Sequence, residues 1–239
     1  MSSLQVLCFG DLNDFLPIRD RESWISISFQ GRQTLKHLIE SLGIPHPEIG
    51  TVTVDDQPAG LDDFGLEGSR VQVIPFRSGD IRLRPEELGF ILDGHLGKLA
   101  SYLRILGFDT LYHPDAADET LAATSAAEQR VLLTRDRGLL KRRVVVYGYC
   151  IRHDEISRQL QEVVNRYNLL EEIKLFSRCP RCNGRLMPVE KSAIADRLLA
   201  NTRQFFNQFW QCPACGQVYW RGSHVDRILE QIQGLLPDR

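Results

Sequence analysis

No apolar run in these 239 residues approaches the roughly 18 needed to cross a bilayer, so a helical membrane protein is excluded. MSSLQVLCFGD lacks the basic segment and long apolar stretch of a secretory leader, and a cytoplasmic location is expected. There is no internal repeat and no low-complexity tract. A large surplus of either charge is also lacking, with 29 Lys+Arg against 31 Asp+Glu and a formal net of −2. What is present is an ordinary soluble composition, 43% hydrophobic and 25% charged, long enough for one large domain or two to three small ones.

The near-neutral total hides an asymmetry. Residues 1–80 hold 6 Lys+Arg against 12 Asp+Glu, and residues 81–239 hold 23 against 19. The two parts are therefore expected to meet different partners. The densest basic stretch is Arg130, Arg135, Arg137, Lys141, Arg142 and Arg143. A solvated loop explains such a run as readily as phosphate binding does, but this one surrounds an aspartate.

Periodicity divides the chain. LQVLCF and WISISF read as strands, QTLKHLIESLG as a helix ending at Gly43, and TVTVDD and RVQVIPF as two more strands. Strand, strand, helix, strand, strand within about 77 residues points to a β-grasp domain. LGIPHPEIGTVTVDDQPA and GSRVQVIPF resemble the ubiquitin-like sulfur carriers. Active carriers end in a free Gly-Gly, whereas here the chain continues through SGDIRLRPEE, so a docking module for a protein partner is the better reading. From Glu86 onward strands and helices alternate: FILD, GHLGKLASYLRILG, FDTLYH, DETLAATSAAEQR, VLLT, VVVYGY and DEISRQLQEVVNRYNLL. Alternation of this kind implies an α/β unit with a parallel sheet.

Three aspartates occupy corresponding places in that unit. Asp93 and Asp136 stand where an apolar strand stops, and Asp118 where a helix begins. Such places map to one rim of an open parallel sheet, where ligands bind. A lone Asp there is ordinarily a cap. Three together offer the oxygen ligands that Mg²⁺ or Mn²⁺ requires. Asp109 opens a strand and is left out. His95 reads as a capping or surface residue. Lys98 and Arg104 share a helix near Asp93, and Lys98 is the better placed for phosphate.

FILDGHLGKLASYLRILGFDT, the Asp118-Glu119 helix start and RVLLTRDRGLL resemble the PIN-like RNase family named after the C-terminal domain of the mut-seven exonuclease. The resemblance implies a metal-dependent ribonuclease whose catalytic cation is bound by Asp93, Asp118 and Asp136. It also implies an N-terminal ubiquitin-like region and a C-terminal zinc ribbon. The implied order is a β-grasp domain (1–80), a PIN-like parallel-sheet nuclease domain (86–174) and a ribbon with a terminal helix (175–239). Many PIN nucleases carry a fourth acid, for which Glu119 and Asp115 are the candidates. Lys98, Arg135, Arg137, Lys141, Arg142 and Arg143 are the residues expected to hold RNA. The alternative is a PIN-like adaptor, weak or inactive in catalysis, that docks RNA or ribosomal components.

CPRC (179–182) and CPAC (212–215) stand 29 residues apart. Paired knuckles at that spacing fit a tetrahedral Zn²⁺ on Cys179, Cys182, Cys212 and Cys215. With four thiolates no position is left for water, so the role is structural. Cys8 and Cys150 read as buried hydrophobes. Phe205, Phe206, Phe209, Trp210, Tyr219 and Trp220 crowd this short region, either as its core or to stack on unpaired bases beside Arg203 and Arg221. His224 is placed near the zinc or the RNA.

Overall fold

The computed structural model describes residues 2–77, 80 and 87–233. Most of the linker SGDIRLRPEE, all but Asp80 and Glu87, lies outside the described residues, as does the Gly-Leu-Leu that ends the expected terminal helix. The first elements are β1 (Ser2–Cys8), β2 (Ile25–Phe29), α1 (Leu35–Ser41), β3 (Ile49–Val54), β4 (Gln57–Ala59) and β5 (Arg70–Pro75). Then come β6 (Gly89–Leu92), α2 (Gly97–Ile105), β7 (Asp109–Tyr112), α3 (Asp118–Ala127), β8 (Val131–Thr134), α4 (Arg137–Leu140) and β9 (Gly148–Cys150). The last are α5 (Ile156–Arg166), β10 (Met187–Val189), α6 (Ala200–Phe205), β11 (Phe209–Gln211), β12 (Val218–Tyr219) and α7 (Ser223–Gln233). They form two compact units, Met1–Arg82 with Ala117–Cys150, and Leu83–Ala116 with Ile151–Arg239. Among the described residues no helix is long and apolar enough to cross a membrane.

In the first unit the β-grasp expectation holds. The sheet runs β2-β1-β5-β3-β4, with β1 and β5 parallel and the other pairs antiparallel. Alternation sends Leu4, Val6 and Cys8 of β1, and Ile27 and Phe29 of β2, into the core. Thr34 caps α1 by accepting from the His37 N–H, and Leu35, Leu38 and Ile39 face inward. Gly43 ends the turn at φ +97, a conformation open to glycine.

The same unit holds α3, β8, α4 and β9. All four residues of β8 are buried, as expected for a parallel strand covered on both faces, and it pairs in parallel with β9. The VVVYGY strand is shorter than expected, beginning at Gly148. Val144 and Val146 are exposed because the Val145 N–H turns back to the Arg142 carbonyl at 3.0 Å, which takes this run off the ladder.

In the second unit β6 and β7 pair in parallel. Leu99, Ala100 and Leu103 of α2 are buried, as are Leu160, Val163 and Val164 of α5. Phe90 of β6 meets Phe108 and Tyr167 edge-on, with centroids 6.1 and 5.9 Å away. The cysteine-bearing region is an antiparallel sheet in the order β10-β11-β12.

Candidate functional site

Asp93, in the second unit, directly follows β6 and is 7% exposed. Its Oδ1 accepts the His95 N–H at 3.0 Å, so it caps the short 3₁₀ turn Gly94–Leu96 that leads into α2. The two glycines beside it are dictated by close packing. A Cβ on Gly94 would run into the Pro114 carbonyl oxygen, and one on Gly97 would meet the Tyr112 hydroxyl at 2.6 Å. That hydroxyl donates to the Gly94 carbonyl at 2.9 Å and pins the turn. Asp93 therefore sits on a rigid backbone. His95 is exposed, and Lys98 is exposed with its Nζ 5.9 Å from the Tyr102 ring centre.

Arg104 does not face solvent. It is 6% exposed and donates from Nε to the Thr110 carbonyl and from a terminal nitrogen to the Pro180 and Arg181 carbonyls. Burial pulls its pKa below the ordinary guanidinium value, and nearby Cys179, Cys182 and Asp109 oppose that. It is a structural cation tying α2 to β7 and the first knuckle. Asp109 is likewise engaged, with Arg178 at 2.9 Å and Asn183 at 2.7 Å.

Asp118 and Asp136 lie in the first unit. Asp136 caps α4, its Oδ1 accepting from the Gly138 and Leu139 N–H groups at 2.6 and 3.3 Å. Asp118 is the first residue of α3, with Ala117 at the cap position. Arg142 reaches this pair of acids, donating to Glu119 at 2.7 Å and standing 3.9 Å from the Asp118 carboxylate. The Glu119 carboxyl is held below its usual range, first by its own backbone N–H at the helix start and then by Arg142.

The basic stretch is largely committed within the chain. Arg130 pairs with Glu128 at 2.6 Å. The Arg137 guanidinium lies 4.9 Å over the Phe15 ring, and Lys141 Nζ donates to the Glu40 carbonyl at 2.7 Å. Both partners belong to the β-grasp half of the same unit. Arg135 and Arg143 are exposed, Arg143 on the wall of a 730 Å³ cleft shared with Lys36, His37 and Asp62. Of the six residues expected to hold RNA, Arg137, Lys141 and Arg142 have the internal partners just named, and Lys98, Arg135, Arg137 and Arg143 are exposed.

Cys179, Cys182, Cys212 and Cys215 place their sulfurs within 4.8 Å of one another, the arrangement a structural Zn²⁺ requires. Two matching turns build it. The Asn183 N–H bonds to the Cys179 carbonyl and the Gly216 N–H to the Cys212 carbonyl, each at 2.8 Å. Asn183 and Gly216 take left-handed φ values of +66 and +72, which an Asn or a Gly adopts most readily. Burial raises the Cys179 thiol, but donors from Tyr219, the backbone of Cys182 and Arg181, and Cys215 outweigh it and bring the pKa down to about 7. At Cys182 the Gly184 N–H favours the thiolate, yet burial and the neighbouring thiols push it up to about 12. So close a set cannot ionise fully without a cation among them, and a bound metal reverses that repulsion. Cys8 and Cys150 are buried elsewhere, and burial raises Cys8 to about 12.

Comparison with known proteins covers both ends of the chain. The family described as Mut7-C RNAse domain matches residues 88–232, and that described as Mut7-C ubiquitin matches residues 1–79. Among curated proteins none matches. Two crystal structures of small archaeal modifier protein 1 from Haloferax volcanii are similar at 16% identity, covering 31% and 32% of this chain and 98% of theirs, each with a TM-score of 0.26. Since the RNAse-domain match alone takes in more than half of the chain, this protein belongs to the Mut7-C RNAse domain family, with a Mut7-C ubiquitin domain before it.

Proposed function

We propose that the chain is a metal-dependent ribonuclease of PIN-like fold, with Asp93, Asp118 and Asp136 holding Mg²⁺ or Mn²⁺ and a zinc ribbon at Cys179, Cys182, Cys212 and Cys215. The observation that carries the reading is the position of the three acids. All lie inside the span matched to an RNase domain, each opens a helical turn, and Asp93 and Asp136 follow within two residues of a strand. The donor set fits a hard divalent cation, being carboxylate oxygen throughout. When bound, such a cation lowers the pKa of a coordinated water and offsets charge on the transition state of phosphodiester hydrolysis. The chain's own part is to fix Asp93 on its glycine-packed turn and to meet flanking phosphates with Lys98, Arg135 and Arg143. No protein nucleophile is needed. The thiol-rich ribbon suits a reducing, cytoplasmic setting, and the ubiquitin-like domain is the surface for a protein partner.

The test is incubation with RNA and with DNA of one sequence, with Mn²⁺ or with no divalent cation, for wild type and Asp93→Asn. Asn keeps the oxygen that caps the turn and removes only the charge, so fold should persist while Mn²⁺-dependent RNA cleavage is lost. Intact RNA after incubation of the wild type with Mn²⁺ would sink the proposal. A second reading, a catalytically weak RNA- or ribosome-docking adaptor, is favoured by one observation: Arg142 already stands beside Asp118 and Glu119. Calorimetric titration of Mn²⁺ separates the two, because the adaptor reading expects no saturable uptake that depends on Asp93.

A further inference from the structure

In the second unit, α2, the segment following α5 and the start of α7 enclose a cleft of about 520 Å³, within the range of cavities that take a small molecule. Three aromatic side chains line it, Phe176, Tyr219 and Trp220, all only partly buried. Each is braced from outside the cleft. Phe176 lies flat on Trp210, with centroids 4.2 Å apart and planes 8° from parallel. Trp220 leans on Phe206 and Phe209, and the Tyr219 hydroxyl stands 3.2 Å from Cys179 Sγ. Phe176 takes φ +58, a left-handed conformation that bulky residues rarely adopt. The fold thus holds this ring in place at a backbone cost.

Packing of the small sheet explains part of this, since Phe176, Trp210 and Tyr219 rest against Cys179, Leu186 and Cys212. It does not account for the space left against α2 and the start of α7, where Ser101 and Ile105 of α2, Gly222, and Ser223 and Val225 of α7 complete the lining. Arg178 and His224 also line the cleft, Arg178 paired with Asp109 at 2.9 Å and the His224 ring edge-on to Tyr102, and no carboxylate lines it among the described residues. Braced, partly exposed aromatic rings around an open cleft suit a flat π-system that can stack among them.

We infer that this cleft binds one unpaired nucleobase of an RNA strand, stacked among Phe176, Tyr219 and Trp220. The inference rests on the RNA-directed reading above and adds to it a contact separate from the three aspartates. Ser101 and Ile105 are four residues apart on α2 and both line the cleft, so a bulky residue at either fills it without replacing a cysteine or a proposed metal ligand.

The test uses full-length, zinc-loaded protein carrying Asp93→Asn, so that bound strands are not cut. Fluorescence anisotropy compares an eight-nucleotide oligouridylate with an abasic ribose-phosphate oligomer of the same length. The oligouridylate should bind about tenfold more tightly, the scale of a single base-stacking contact. Adding Ser101→Trp, or in a second variant Ile105→Trp, should bring that ratio close to one and leave the abasic affinity unchanged. Equal affinity for the two oligomers, or a ratio that survives both fillings in folded protein, overturns the inference. Cleavage by protein with native Asp93 is scored separately. Base-dependent binding without cleavage would remove the nuclease reading and keep the cleft, whereas cleavage with a ratio of one would do the reverse.

Discussion

Replacing Glu48 by Ala should destabilise the first unit by about 1–3 kcal/mol. Glu48 closes the 3₁₀ turn His46–Glu48, is fully buried, and accepts the Cys150 N–H on Oε1 at 2.6 Å. Cys150 ends β9, which is paired with β8, so the carboxylate links the β-grasp half of the unit to the strand that follows α4. A hydrogen bond contributes about 0.5–1.5 kcal/mol net, and its removal strands a buried N–H, which costs about 1–3 kcal/mol by itself. The two descriptions overlap and are not summed. With a urea slope of about 2 kcal/mol/M, the midpoint should fall by roughly 0.5–1.5 M. Glu48→Gln, which keeps an acceptor oxygen, should lose less than half as much. A midpoint shift below about 0.2 M for Glu48→Ala, at unchanged slope, would refute the reasoning by showing that the Cys150 N–H finds another partner. Three further links join the same halves: His46 lies between Glu40 Oε1 (2.8 Å) and the Val145 carbonyl (2.7 Å), Lys141 donates to the Glu40 carbonyl, and Arg137 lies over the Phe15 ring. Deleting residues 1–80 removes all four links. That truncation should therefore leave α3 to β9 unfolded and abolish any cleavage, even though residues 1–80 carry none of the proposed metal ligands.

Protein purified without added zinc should contain one zinc per chain by metal analysis, with Zn–S distances of about 2.3 Å by X-ray absorption. Near-zero content with the thiols oxidised to disulfides would rule the ribbon out. Arg142→Ala should move the Glu119 carboxyl up toward its ordinary pKa in a side-chain NMR titration. Because its folded value is lowered, the stability it lends is present above the unfolded carboxylate range of about 4.3 and fades as pH falls through the folded value. The variant should lose the Arg142-dependent part of that contribution, and a Glu119 titration identical to wild type would show that the ion pair is absent in solution.

Much of the fold was legible because period and burial agree. WISISF alternates and its Ile27 and Phe29 point inward; VLLT is continuously apolar and buried throughout. VVVYGY misled because three β-branched residues satisfy strand propensity locally, while a turn bond from Val145 to Arg142 and the contact of His46 decide the outcome from outside the run. Arg104 was open to a better reading. It stands four residues after Ala100 on the buried face of α2, so helical spacing places it inward, where a guanidinium persists only with acceptors such as the carbonyls it finds.

The basic stretch shows where a sequence stops informing. Arg137 and Lys141 are four apart and share a face of the α4 turn, but their partners, Phe15 and Glu40, are about a hundred residues away. Counting charge near Asp136 could not reveal them. The aspartates pose the converse difficulty. Asp93 and Asp136 both cap the turns they open, so the ordinary account of each is realised in the structure and does not by itself argue for a ligand. Capping uses a carboxylate oxygen as an acceptor, a task an amide oxygen also performs, whereas holding a divalent cation depends on the negative charge. Asp→Asn at these two positions therefore divides the roles cleanly: stability that stays while Mn²⁺ uptake vanishes assigns the charge to metal, and loss of neither confines both residues to capping.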